Sequence, residues 1–274
     1  MESLDTGAVL AWGLPRLRDL PWRRVRDPWA ILVAEVMLQQ TQVERVVPKW
    51  RSFVARYPTP AACANASLGE ILRLWQGLGY PRRARNLHDA AIVIVRDHNG
   101  VVPDDRAALL DLPGVGPYTA RAVRVFAFEH DDGVVETNIA RVLARLAGER
   151  LTAEAVQALA DAEIPRGQGW VWNQVLMDLG ATVCRPAPRC PECPVTSQCG
   201  WHGAGHPTPD PAVGSAGVSA PQPRYDGSAR QARGRVLHAL ANGPARVEDF
   251  PASIVDGLVA DRLVVREQET LRLP

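Results

Sequence analysis

The sequence predicts an all-α fold, and three observations carry that expectation. Apolar residues recur at helical spacing over most of the chain, clusters of Gly and Pro punctuate them, and no alternating strand run of convincing length precedes residue 200. At 274 residues the chain can bury a sizeable core, as one large domain or two, with a small third piece. In chain order, DPWAILVAEVMLQQTQVERVVPKWRSFVARY sets Ile31, Val33, Val36, Met37, Val43, Val46, Val47, Trp50, Phe53 and Val54 on buried stripes of helices interrupted near Pro48. LGEILRLWQGL, ARNLHDAAIVIVRDH, YTARAVRVFAF, NIARVLARLAG and WVWNQVLMDLGATVC repeat the pattern, with breaks at GLGYP, NGVVP and LPGVGP.

After Cys199 the composition shifts. Residues 203–227 are dense in Gly, Pro, Ala and Ser and read as a flexible linker. Residues 228–274 offer a short helix, ARQARGRVLHALANG, then a helix and a small hairpin in ASIVDGLVADRLVVREQETLRLP, the outline of a winged-helix-like module. The N-terminus has no basic region followed by a long apolar run, and no stretch approaches the ~20 apolar residues of a membrane span. A soluble, cytoplasmic protein without a membrane partner is expected. The net charge of +1 does not announce a nucleic-acid binder, yet the basic side chains are almost all Arg, with Lys49 the only lysine and clusters at RRVR (23–26) and RRAR (82–85). Each cluster reads as a solvated helix face or as a phosphate contact.

Cys184, Cys190, Cys193 and Cys199 stand in the order C-x5-C-x2-C-x5-C. Four thiols in one short loop, stiffened by Pro186, Pro188, Pro191 and Pro194, converge on a metal centre without long loop closures. A single C-x2-C pair flanked by lone cysteines suits an iron-sulfur cluster; zinc and a disulfide pair are the alternatives. Cys63, in PAACANAS, reads as a small buried residue. In LPGVGPYTARAV, Gly114 and Gly116 allow a tight turn whose amides point outward at a helix start, where Pro117 fits, so the turn either seats a phosphate or only joins two helices.

The hairpin, an acidic residue downstream of it and the four-cysteine loop together resemble the helix-hairpin-helix DNA glycosylases of the endonuclease III type. Within that superfamily, PWRRVRDPW, EVMLQQTQV, LWQGLGYPRRARNLH and WNQVLMDLGATVC are similar to MutY-like adenine glycosylases, over roughly Leu20 to Cys199. The resemblance implies a glycosylase core at 1–202, with a six-helix subdomain at about 21–130 and a cluster subdomain from about 1–20 and 131–202. It implies a [4Fe-4S] cluster on the four cysteines, although the family usually spaces the first two by six residues. The implied partner is double-stranded DNA with adenine opposite 8-oxoguanine or guanine, and the implied state is a monomer.

The implied reaction is removal of adenine, leaving an abasic site. Glu35, inside the apolar stripe of ILVAEVML, would be raised in pKa by burial and protonate the departing base. Glu136 stands in VVETNIARV where the family carries Asp; it keeps the charge that faces an oxocarbenium-like sugar, but its extra methylene displaces that charge. Thr137 and Asn138 would cap the next helix and hold the flipped nucleotide. Tyr118 occupies the position of the Schiff-base Lys of strand-cleaving relatives, so water is the expected nucleophile and the strand stays intact. By position, Gln40 and Tyr80 would wedge into the base stack, Arg18, Gln174 and Gln168 would bind adenine, Trp22 would wall its pocket, and Arg82, Arg83 and Arg85 would meet phosphates. Residues 203–274 are too few for the Nudix-like domain of longer relatives, which predicts weaker discrimination of 8-oxoguanine. A thymine or uracil mismatch glycosylase, or a non-catalytic lesion binder in which Glu136 has ended turnover, are the alternatives.

Overall fold

The computed structural model describes residues 4–219 and 224–274; residues 220–223 of the expected linker lie outside the described residues. The helices in chain order are α1 (Thr6–Gly13), α2 (Pro28–Leu38), α3 (Val43–Arg56), α4 (Pro60–Ala64), α5 (Leu68–Trp75), α6 (Arg82–Asp97) and α7 (Arg106–Leu110). They continue with α8 (Pro117–Phe128), α9 (Thr137–Ala147), α10 (Ala153–Ala162), α11 (Gly169–Thr182), α12 (Gly200–Gly203), α13 (Ala229–Asn242) and α14 (Ala252–Ala260). Three short strands, β1 (Ala245–Arg246), β2 (Val265–Glu267) and β3 (Thr270–Arg272), lie near the C-terminus. No helix among the described residues is long and apolar enough to cross a membrane.

The helix starts follow local chemistry. Asp27 accepts from the Ala30 amide ahead of Pro28 to open α2, and Ser67 with Glu70 forms a reciprocal capping box at α5. One expectation is corrected: Pro48 does not interrupt its helix but lies inside α3, which runs on to Arg56 although the proline removes one backbone donor. The break falls instead at Gln40, whose φ of 56° ends α2.

The chain divides into two compact units, the first formed by Met1–Arg23 and Ala120–Pro221, the second by Arg24–Thr119 and Gln222–Pro274. In the second unit α2 is the central helix, buried at every position from Trp29 to Met37. The indoles of Trp29 and Trp50 donate to the Tyr57 and Ala30 carbonyls at 2.9 and 2.8 Å, so these large rings are buried with their N–H groups satisfied. Cys63 is fully buried as expected, and burial pushes its thiol up to about 12. In the first unit α9 and α11 surround a core that includes Val9, Leu143, Trp172, Val175 and Leu179.

The C-terminal segment runs α13, β1, α14, β2 and β3, with an antiparallel sheet in the order β1-β3-β2 that pairs Ala245 with Leu271 and Arg266 with Leu271. It is an integral part of the second unit. The buried Asp261 carboxylate accepts from Arg82 at 2.5 and 2.7 Å and from Arg233, Arg85 donates to the Asp261 carbonyl at 2.5 Å, and the Gly69 amide donates to the Pro274 carbonyl at 2.8 Å. The described part of the linker is also anchored. Asp210 accepts from Arg145 at 2.5 Å, the Ser215 hydroxyl accepts from the Leu151 amide at 3.0 Å, and Thr137 and Ser219 hydroxyls meet at 2.8 Å. Its Gly and Pro residues shape turns that hold polar partners, which composition alone reads as freedom.

The hydrogen bonds from Arg82, with those from Arg233, hold the Asp261 carboxyl below its usual range. Its contribution to stability is therefore present above the unfolded carboxyl pKa and lost as pH falls through the lower folded one. Asp261→Ala is expected to cost about 1–3 kcal/mol in denaturant unfolding at neutral pH. The difference from the parent should shrink in strongly acidic buffer.

Candidate active site

In the second unit, α2 carries Glu35 into the interior, 4 % exposed, and the Tyr118 hydroxyl donates to Glu35 Oε2 at 2.9 Å. Tyr118 reaches this position because the turn after α7 feeds directly into α8. Gly114 makes that turn with φ of 78°, and a Cβ there would lie 2.7 Å from Asn86 Cβ, so both the conformation and the space call for glycine. Gly116 has open space around it and a φ that is not left-handed. Thr119 accepts from the Gln39 amide at 3.3 Å, tying the end of α2 to the first turn of α8.

Gln40 and Tyr80, expected as wedges, sit at two left-handed turns, with φ of 56° and 47°. Non-glycine residues keep such a conformation only where neighbours enforce it. The enforcing group is Arg83. Its guanidinium is buried and donates to the carbonyls of Val36, Met37, Gln39, Leu78 and Gly79 and to the Thr41 hydroxyl, at 2.6 to 3.1 Å. The RRAR cluster is thus corrected: Arg83 is an internal brace between the two turns, Arg85 is directed to Asp261, and Arg82 pairs with the Asp261 carboxylate with 66 % of its side chain still exposed.

In the first unit Glu136 is the N-cap of α9, accepting from the Ile139 amide at 2.9 Å, while the Asn138 amide donates to its other oxygen at 3.1 Å. Glu is an unusual cap; its extra methylene lets the carboxylate fold back over the first turn. Burial raises the Glu136 carboxyl, more than the Asn138 and Ile139 amides and the Arg141 charge lower it. Asn138 is fixed in turn by Arg141, which donates to its Oδ1 at 2.6 Å, to the Gly180 carbonyl at 2.7 Å and to the Cys184 carbonyl at 2.6 Å. Gly180 permits this closeness, since a Cβ there would come within 2.6 Å of Asn138 Cβ.

Arg18 is anchored by Asp178. Its backbone amide and guanidinium both bind Asp178, at 2.9 and 2.5 Å, and Arg23 binds the same carboxylate at 2.7 and 2.9 Å. Burial alone would raise the Asp178 carboxyl, but hydrogen bonds and charge from Arg23 and Arg18 hold it below the usual range. Trp22, in the same turn, is buried at 6 % exposure. Gln174 is buried on α11, whereas Gln168 is exposed at the N-cap position of that helix and makes no capping bond. The neighbouring Asn173 holds the segment leading to Glu136, through the Val134 amide at 2.9 Å and the Asp132 carbonyl at 3.1 Å.

All four cysteines of the loop line one cavity with Arg145, Trp201 and His202, and none forms a disulfide. Arg145 is nearly fully buried; it donates to Cys184 Sγ at 3.4 Å and to the Arg185 and Pro186 carbonyls at 2.7 and 3.1 Å, beneath the Trp201 ring. Burial raises the Cys184, Cys193 and Cys199 thiols. Thiolates here need a cationic centre, and the donor set fits a thiolate-bound metal group. Cys190, His202 and His206 also bring one ligand atom each within 4.8 Å of one another.

Sequence reasoning missed Arg141, Arg145, Asn173 and Asp178. A signal existed for three of them: Asp178 is an acid inside an apolar helical stretch, and Arg141 and Arg145 share with Asn138, at spacings of three and four, the apolar face of their helix. Arg141→Met leaves three buried acceptors unpaired and is expected to cost about 3–5 kcal/mol in equilibrium unfolding. Arg141→Lys, which keeps the charge without the planar fork, should recover only a minor part of that loss.

Comparison with known proteins agrees with this architecture. Residues 33–166 match the HhH-GPD superfamily base excision DNA repair protein family. An adenine DNA glycosylase of Mycobacterium tuberculosis is 44 % identical over 94 % of this chain and 89 % of its own length. The adenine DNA glycosylase of Mycolicibacterium smegmatis is 42 % identical over 92 % and 86 %, and that of Homo sapiens is 40 % identical over 70 % of this chain and 38 % of its own. Among solved structures, a thermostable thymine-DNA glycosylase aligns with a TM-score of 0.70 at 32 % identity over 73 % of this chain and 95 % of its own. A non-covalent endonuclease III–DNA complex aligns at 0.63 and 28 % identity over 72 % and 92 %. With its buried glutamate, hairpin and four-cysteine loop, the chain belongs to the adenine DNA glycosylase family of helix-hairpin-helix base excision repair proteins.

Proposed function

We propose that the protein removes adenine mispaired with 8-oxoguanine or guanine, breaking the N-glycosidic bond by hydrolysis and leaving the strand intact. The observation that carries this reading is Glu35, a carboxyl buried in α2 and oriented by the Tyr118 phenol. Glu35 gives its proton to adenine N7, the C1′–N9 bond breaks, and adenine leaves neutral. The Glu136 carboxylate stabilises the positive charge that develops on the sugar. Water adds to C1′, and the proton it sheds returns to the Glu35 carboxylate. Tyr118 has no amine to capture the sugar, so no covalent intermediate forms there. The identity of the relatives favours adenine over thymine or uracil as the base released.

The cysteine loop fits a [4Fe-4S] cluster held by Cys184, Cys190, Cys193 and Cys199. When bound, such a cluster supplies thiolate cross-links that order the loop. Arg145 and Arg141 then brace that loop, Arg145 at Cys184 Sγ and Arg141 at the Cys184 carbonyl, and so also fix Asn138 beside Glu136. Purified protein is expected to contain iron and sulfide and to absorb near ~400 nm as thiolate-bound iron does. Stoichiometric zinc in a colourless protein would overturn the assignment.

Single-turnover assays on A:8-oxoguanine, A:G, T:G and U:G duplexes test the reaction. Adenine should leave from the first two, Glu35→Gln should slow release about 10²–10⁴-fold, and nicks should appear only after alkali. Tight binding without base release on every duplex would sink the enzyme reading. Because release needs ionised Glu136, the rate should fall in acid through an apparent pKa above the ordinary carboxyl value of 4.5. The same raised pKa favours folding below the unfolded value and is lost as pH rises through the folded one. Glu136→Gln should therefore gain stability relative to the parent between acidic and neutral pH.

A further inference from the structure

In the first unit the chain that leaves the cysteine loop turns back onto it. His206 Nε2 lies 3.5 Å from Cys190 Sγ and 3.2 Å from His202 Nδ1. Contacts with Trp201 hold the His206 ring there. The His206 amide donates to the Trp201 carbonyl at 2.9 Å, and its ring meets the buried Trp201 indole edge to face, with centres 4.6 Å apart. The same indole donates to the Pro207 carbonyl at 2.9 Å, which fixes the chain on the other side of His206. Trp201 packs in turn on Arg145, which donates to Cys184 Sγ at 3.4 Å and is held by Asp210. His206 keeps a φ of 60°, a left-handed backbone that costs a non-glycine residue energy and persists where neighbours enforce it.

We infer that His206 is a positioning residue for the cluster ligand Cys190, donating its Nε2 hydrogen to the ligand sulfur and thereby raising the reduction potential of the centre. The inference rests on the [4Fe-4S] reading and deepens it. A ligating thiolate carries no hydrogen, so a bond between these two atoms requires the hydrogen on His206 Nε2. That assigns the tautomer and makes His202 Nδ1 the competing acceptor for the same hydrogen. A donor at a ligand sulfur stabilises the more negative, reduced state, which is why the potential rises. Arg145 serves Cys184 in the same way from the interior, so the cysteines at the two ends of the first loop each carry an N–H donor.

Protein-film voltammetry on the full chain, with no DNA present, reads the midpoint potential, and iron and sulfide analysis reads occupancy. His206→Phe keeps an aromatic ring for Trp201 and removes the donor. It should shift the reduction equilibrium about tenfold against the reduced state, the scale of one hydrogen bond to a charged group, or about 59 mV lower for one electron. His206→Gln places an amide nitrogen where Nε2 was and should recover most of that shift. His202→Leu removes the competing acceptor and should move the potential upward. An unchanged potential in His206→Phe, a Gln variant that falls as far as the Phe variant, or a fall in His202→Leu overturns the inference. If His206→Phe loses its iron on purification, the other two variants decide: a near-parental Gln potential with a raised Leu potential supports it, and any other pair overturns it. A further metal ion held by the parent and lost in His206→Phe also overturns it, because a metal on Nε2 leaves no hydrogen to donate. A parent without iron and sulfide overturns the cluster reading and this inference with it, whereas the potentials of an iron-loaded parent and its variants bear on His206 alone.

Discussion

The Arg141 guanidinium is the interaction on which the first unit depends. It binds Asn138 in the first turn of α9, the Gly180 carbonyl in the last turns of α11, and the Cys184 carbonyl where the cysteine loop begins. Glu136 is held by Asn138 and by the amide of Ile139, so the carboxylate proposed to face the sugar is one hydrogen bond from the residue that Arg141 fixes. The cysteine loop and the acidic cap are therefore parts of one polar network, though 48 residues separate Glu136 from Cys184 in sequence. A buried charge with every arm engaged sets geometry more strictly than apolar packing, because any shift leaves a desolvated group unpaired.

The second unit has a related brace in Arg83, whose two terminal nitrogens are engaged while its Nε has no partner. Its five carbonyl partners and one hydroxyl come from the last turn of α2, the turn after it and the turn before α6, the two turns being those that carry Gln40 and Tyr80. At these interior positions Arg suits the task better than Lys would. A guanidinium carries five donors in a plane and can gather carbonyls from several loops, while an ammonium concentrates its charge at one point and is costlier to desolvate. Among the described residues four arginines, Arg23, Arg83, Arg141 and Arg145, are buried inside the protein, so charge counting overstates the arginine available to DNA.

What the sequence disclosed follows from this division. The helices, the hairpin and the burial of Glu35 were legible, because apolar spacing and glycine turns are local signals that survive without knowledge of partners. Glu35 and Asp178 are both acids inside apolar helices, and the same reasoning would have marked both. The partners of Arg83 and Arg141 were illegible because backbone carbonyls carry no residue identity, so no motif announces where they converge. The anchored linker was misread for a related reason: Ser215 and Asp210 are ordinary loop residues until Leu151 and Arg145 lie opposite them.

The placement of Tyr80 shows what these constraints accomplish together. A tyrosine at φ of 47° opposes its own backbone preference, and it would relax if its neighbours allowed. Arg83 binds the carbonyl of Gly79 immediately before it, and Arg230 binds its hydroxyl, so the residue is held at both ends by groups from different parts of one unit. Holding an aromatic ring in an unfavourable conformation in the free protein means that the ordering cost is met before any ligand arrives. The C-terminal module, only loosely suggested by composition, supplies one of those two restraints. Its integration through Asp261 is then a requirement of the site it helps to shape, and a module tethered by a free linker could not provide it.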